Sequence, residues 1–192
     1  NGFHDTANSI ATVVATKVLT PVQAVGLAAT MNLIGAMFGD AVAKTISSGL
    51  VDANVVTITS GVLLCALLAA IVWNLITWWG GIPSSSSHAL IGGLLGAGTA
   101  KAGIGAVVWP GVVKTVGAIV WSPLLGFVLA IVLWLGVAWI FLRSSPLAVD
   151  RIFRVLQMGS AALYSVGHGG NDAQKTMGII AGLLYAEGLL GP

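Results

Sequence analysis

Three polar interruptions carry the side chains that could do chemistry in an otherwise nearly uncharged sequence. The first, Asn1-Gly-Phe-His-Asp-Thr-Ala-Asn-Ser9, sets Asp5, Asn8 and Ser9 at the head of an apolar run. The second, Pro83-Ser-Ser-Ser-Ser-His88, puts four hydroxyls and an imidazole ahead of the small-residue stretch Ala89-Leu-Ile-Gly-Gly-Leu-Leu-Gly-Ala-Gly98. The third, His168-Gly-Gly-Asn-Asp-Ala-Gln-Lys-Thr176, again leads into an apolar run. Polar groups inside membrane-length apolar sequence are costly unless they face a partner or a cavity, so function is sought there first. Hydroxyls at a helix N-terminus, with its free N–H groups and positive dipole end, suit an oxyanion. Intramembrane carboxylates suit a cation or a proton.

Laying Gly2 on Gly169 pairs Asp5 with Asp172, Asn8 with Lys175 and Ser9 with Thr176, a shared G-x-x-D-x-x-[NK]-[ST]. A glycine-interrupted polar turn that recurs inside a hydrophobic run points to transporter repeats and a midplane site. Asp5 and Asp172 are either helix N-caps or carriers of a cation or proton, and their matched positions favour the second role. An ionised carboxylate beside a bound oxyanion must hold a cation, be protonated or accept a proton from the anion itself. The last arrangement discriminates an oxyanion that carries a proton from one that does not, because a site built around a donor rejects the analogue lacking it. Asn8 could coordinate a cation, and the Lys175 ammonium could stand in for one. Lys175 read as a snorkelling lysine fits its place beside a polar turn less well. Ser84 to Ser87 read as anion contacts, most firmly Ser85 to Ser87, and His88 as an anion ligand, proton carrier or cap. His4 and His168 are weaker candidates, and a metal site built from the three histidines is not expected.

The composition excludes a soluble enzyme. Hydrophobic residues make up 57% of the 192 and charged residues 7%, against about 25% charged in soluble domains; mean hydropathy is +0.98. A net charge of +2 and a pI near 8.9 rest on scattered basic residues, without the cluster that phosphate-backbone binding uses. No nucleic-acid partner is expected. The lone Cys65 excludes an internal disulfide framework and reads as a core hydrophobe. Without an initial methionine or a charged leader before an apolar stretch, the chain is expected to be a fragment with no signal peptide.

A bilayer core of about 30 Å takes about 20 helical residues. Residues 55–79 and 22–38 are therefore expected to span it. Residues 107–142 would form a rod of roughly 54 Å, so a break is expected at Ser122-Pro123, where proline removes a donor and disfavours helix just before it. That leaves 107–121 as a short or tilted segment and 124–142 as a full span. The helix over residues 89–99, roughly 16 Å long, is expected to end inside the protein as half of a re-entrant hairpin. Residues 159–170 and 177–190 are expected to be two halves of one interrupted helix. The connector 143–154 holds Arg143, Arg151 and Arg154, and the positive-inside rule makes it cytoplasmic.

The three polar segments, in this order over essentially the whole chain, resemble the signature segments of the Pit family of inorganic phosphate transporters. The resemblance implies an all-α polytopic membrane protein of inverted-repeat fold with broken helices and a re-entrant hairpin. The first repeat would be residues 1–142, followed by the connector 143–154 and the start of a second repeat at 155–192. It implies no enzyme and no cofactor, but symport of inorganic phosphate, or a metal–phosphate complex, by alternating access with a coupling H⁺ or Na⁺. His4 and Gln174-Lys175 resemble the bacterial and archaeal branch, often proton-coupled; animal and fungal members usually carry Asn at the positions of His4 and Lys175. The family pattern continues with a second Pro-Ser-x-x-His hairpin absent from this sequence, so a partial chain is expected. The expected phosphate ligands are Ser84, Ser85, Ser86, Ser87, His88, Asn171 and Thr176. Asp5, Asn8, Asp172 and Lys175 are expected to hold the coupling cation or proton. The expected partners are phosphate, the lipid bilayer of the cell membrane and a second copy of the chain. Alternatives are a sulfate or other oxyanion permease on the same scaffold, or a channel-like or non-transporting membrane subunit.

Overall fold

A computed structural model describes residues 2–38, 43, 49–52, 55 and 59–189, with side chains from Ala7 on. Among the described residues six α-helices follow one another: α1 (Gly2–Ala15), α2 (Pro21–Ala36), α3 (Ser60–Trp79), α4 (Ser86–Ala102), α5 (Trp109–Phe141) and α6 (Pro146–Ala186). The helix boundaries follow local sequence. Lys17, at φ 56°, turns the chain out of α1. Thr20 then caps α2 in a reciprocal box with Gln23, with Pro21 in the first turn, where its missing N–H costs nothing. Gly80 and Gly81 (φ 63°) end α3, and Gly103 (φ 75°) ends α4. Ser145 caps α6 by accepting from the Ala148 N–H.

Glycines set the packing. α2 runs parallel to α6 along a shared seam, and a Cβ on Gly35 or Gly169 would strike the backbone of Val166 or Asn32. α1 is antiparallel to both and is tied to α6 by the Thr16 hydroxyl donating to Gln157 at 3.0 Å. One small core, of Val13, Ala24 and Ala161, joins these three helices. The second unit is the hairpin of α3 and α4, with Gly93 of α4 lying on the Ala66 carbonyl of α3. Leu50, Val51, Leu63, Ala66, Leu94 and Ala106 form its core, and Ile179 of α6 packs against it.

Among the described residues two helices, α3 and α5, are long and apolar enough to cross a membrane. α3 is about 30 Å long, matching the bilayer core. No residue of α5 is buried, and so extensive an apolar surface suits lipid rather than water.

The helices run further than the sequence suggests. α5 is continuous through Ser122-Pro123, with no break. Proline removes one backbone hydrogen bond, whereas opening the helix in an apolar surrounding would strand several polar groups, so the single loss is the smaller cost. α6 likewise runs unbroken through the third polar segment for 41 residues. Gly169 and Gly170 serve the α2 seam rather than a turn, and His168, Asp172 and Lys175 contact one another along one face. The first polar segment is helical from Gly2. The arginine connector shrinks to a turn at Leu142–Ser145, because α6 begins at Pro146. α4 has 17 residues and is about 25 Å long, longer than the 16 Å stub. α2 has 16, about 24 Å, shorter than the bilayer core. Asp40 and Lys44, spaced i,i+4 as a helical ion pair would be, lie outside the described residues.

Candidate functional site

The N-terminus of α4 faces the middle of α6, and the three polar segments meet there. A cavity of about 640 Å³ is lined by Asn8 of α1, Ser87 and His88 of α4, and His168, Asn171, Asp172 and Lys175 of α6. Its apolar wall comes from α5, which adds the hydroxyls of Thr115 and Ser122. Asp172 is engaged on both carboxylate oxygens. The Lys175 ammonium donates to Oδ1 at 2.6 Å, and the His168 Nε2 lies 3.1 Å from Oδ2. The three side chains are 15–21% exposed, a partly dry setting in which a charge-assisted contact is strong. The i,i+4 and i,i+3 spacings make this clamp a product of helix geometry alone. Tyr164 stacks on His168 with ring centroids 6.3 Å apart, which holds the imidazole over Asp172.

A second cavity of about 460 Å³ lies on the other side of the Asp172–Lys175 pair, lined by those two residues with Asn74, Ser86 and Thr176. The remaining lining is largely aliphatic, including Leu67, Ile71 and Leu90. A third groove of about 570 Å³ between α3 and α4 takes Ser84, Ser85 and His88 along with Trp73 and the glycine face of α4.

The four serines thus do not converge as expected. Ser87 enters the large cavity and Ser86, buried, the second, while Ser84 and Ser85 face the outer groove. Ser85 is the N-cap of α4, its Oγ accepting from the His88 N–H at 3.4 Å. One turn of helix separates these directions, so four consecutive hydroxyls cannot share one ligand. Asn8, His88, Asn171, Asp172 and Lys175 come together, and Thr176 sits behind them in the second cavity. Asp5 belongs to the helical backbone of α1, and its side chain lies outside the described residues. Gln174 is structural: its Nε2 donates to the Phe38 carbonyl at 3.2 Å, closing the α2–α6 seam.

Sequence reasoning underrated His168, although its spacing to Asp172 is the signal that finds it. It also missed Asn74, a lone amide in an apolar span, and Ser122, whose proline neighbour drew attention to a break instead.

Apolar helices around a polar, charge-balanced cavity at the junction of four helices define a helical membrane protein with an internal polar site. The chain belongs to the phosphate transporter family, whose model matches residues 1–149, and the family and its named members are transporters rather than enzymes. It is 60% identical over 192 residues to a probable low-affinity inorganic phosphate transporter of Rhizobium meliloti, covering 100% of this chain and 57% of that one. A Bacillus subtilis protein of the same description is 51% identical, covering 98% and 57%. The low-affinity inorganic phosphate transporter PitA of Escherichia coli is 35% identical, covering 94% and 42%. The chain thus spans 57% of the length of the first two relatives. The fold is similar to that of a solved sodium-dependent phosphate transporter, with a TM-score of 0.75 at 24% identity over 98% of this chain and 65% of that one.

Proposed function

We propose that this chain forms the phosphate-binding part of a proton-coupled symporter of the cell membrane that works by alternating access. One observation carries the reading: Asn8, Ser87–His88 and Asn171–Lys175, from segments far apart in sequence, line a single cavity. The charges there suit an anion. Lys175 offsets the charge of Asp172, so an oxyanion is not repelled as it would be by a lone carboxylate. Ser87, His88 and Asn171 supply donors to the oxyanion, with the N-terminus of α4 behind them; Ser86 and Thr176 line the cavity beyond the ion pair.

The coupling role falls to Asp172, with Asp5 and Asn8 from the matching motif. α1 and α6 run antiparallel, as helices of inverted repeats do, which supports a first repeat at 1–142 and a second beginning at 155. The Lys175 ammonium sits where a cation would otherwise neutralise Asp172, so a proton gradient suffices to drive uptake. The arginines at 143, 151 and 154 favour a cytoplasmic α5–α6 turn under the positive-inside rule.

Calorimetric titration of the protein, at the length its gene encodes, tests the substrate. Phosphate should bind, and a tenfold excess of sulfate should leave its affinity within about twofold, because sulfate brings no proton near neutral pH. Equal competition by sulfate would assign the site to oxyanions in general.

A further inference from the structure

We propose that Asn74 gives the Lys175 ammonium a second seat, so that this charge alternates between Asp172 in the large cavity and Asn74 in the smaller one. The proposal deepens the symport reading and rests on it for its purpose, though not for its geometry.

Asn74 is the one amide side chain in α3, a 20-residue apolar helix. Its Oδ1 is buried and accepts no hydrogen bond. A buried acceptor without a partner is destabilising, and an aliphatic side chain of similar size would avoid that cost. The same residue lines the 460 Å³ cavity together with Ser86, Asp172, Lys175 and Thr176. Among the described residues lining that cavity, Lys175 is the one cationic donor. Its ammonium has three N–H groups on a flexible four-carbon stem, and its contact with Asp172 lies at the partition, since both residues line both cavities. When the ammonium leaves, Asp172 keeps the His168 contact on its other oxygen.

The consequence is a tethered counter-ion. On Asp172 the ammonium stands among His88, Asn171 and Ser87. On Asn74 it stands among Ser86 and Thr176, whose hydroxyls can also hold an oxyanion. An anion that follows the charge passes from one cavity to the other with no second cation, and the open acceptor of Asn74 is the empty end of that exchange.

The test uses the protein as its gene encodes it, purified in detergent. If the ammonium reaches position 74, Asn74→Asp is tolerated beside Lys175, with a melting temperature within about 3 °C of wild type. In a Lys175→Met background the same change buries an unpaired carboxylate and lowers the melting temperature by about 6 °C or more. Equal falls in the two backgrounds overturn the seat. This arm uses no phosphate, so it stands apart from the transport reading. In proteoliposomes, Asn74→Leu should slow phosphate counterflow about tenfold or more with phosphate binding unchanged, and Asn74→Ser, which keeps an oxygen, should restore most of it. Counterflow by Asn74→Leu at the wild-type rate overturns the alternation. Wild-type protein that binds no phosphate overturns the symport reading and leaves the thermal coupling to decide the seat.

Discussion

Replacing Lys175 by methionine and Asp172 by asparagine, singly and together, tests whether the ion pair is what balances the cavity. The charged atoms lie 2.6 Å apart on side chains 15% and 21% exposed. At an effective dielectric constant of 20, the Coulomb attraction across that distance is about 6 kcal/mol, and desolvation offsets much of it. Removing one partner strands the other, which costs about 3–5 kcal/mol for a buried pair. The two single substitutions differ in what they strand. Lys175→Met leaves Asp172 with His168 at 3.1 Å, and a carboxylate can also take up a proton, so its cost belongs at the lower end. Asp172→Asn leaves two basic side chains facing a neutral amide and belongs at the upper end. The double substitution keeps the shapes and removes both charges, so its cost should fall to about 1–2 kcal/mol. In thermal unfolding followed by tryptophan fluorescence, the single substitutions should lower the melting point by about 6–20 °C and the double by a few degrees. Strict additivity of the two single effects would refute the pairing and the cavity electrostatics built on it.

Gly169→Ala should cost about 1–3 kcal/mol, because its Cβ meets the Asn32 backbone, whereas Gly117→Ala, with nothing within 4 Å, should leave stability level or raised by up to about 1 kcal/mol; chemical denaturation of both variants measures the contrast. Pro123→Ala should raise stability by about 1–3 kcal/mol through the regained helical hydrogen bond and lost ring clash, and a fall would show that α5 needs its proline. Ser85→Ala should cost about 1 kcal/mol as a lost N-cap. Ser87→Ala should leave unfolding unchanged and weaken phosphate binding about 3- to 10-fold, the equivalent of one hydrogen bond.

The site was more legible in the sequence than the helices that carry it. Polar residues in apolar runs are so expensive that their positions located Asn8, Ser87, His88, Asp172 and Lys175, the family resemblance added Asn171, and the structure gathers all six. The glycine and proline signals misled because their usual meaning assumes water. At Ser122-Pro123 a soluble helix could end and hydrate its free carbonyls; in lipid it cannot, and α5 continues. Between residues 170 and 177 an interruption was expected, but α6 runs through, and Gly169 and Gly170 just before it lie against α2. Periodicity shows which residues are small, not which neighbour they approach. The split of Ser84 to Ser87 among three cavities was also invisible, since it depends on where the first turn of α4 begins. Asn74 belongs to no motif, and its buried, unpaired oxygen became visible only in the structure.

Phosphate uptake into proteoliposomes, with the protein at the length its gene encodes, measures coupling through this cavity most directly. With sodium absent inside and out, an inward proton gradient should drive phosphate above its electrochemical equilibrium, and Lys175→Met should abolish that accumulation. Accumulation that requires a sodium gradient and ignores an imposed pH gradient would contradict the role assigned to Lys175. Phosphate that never exceeds equilibrium under either gradient would contradict symport itself.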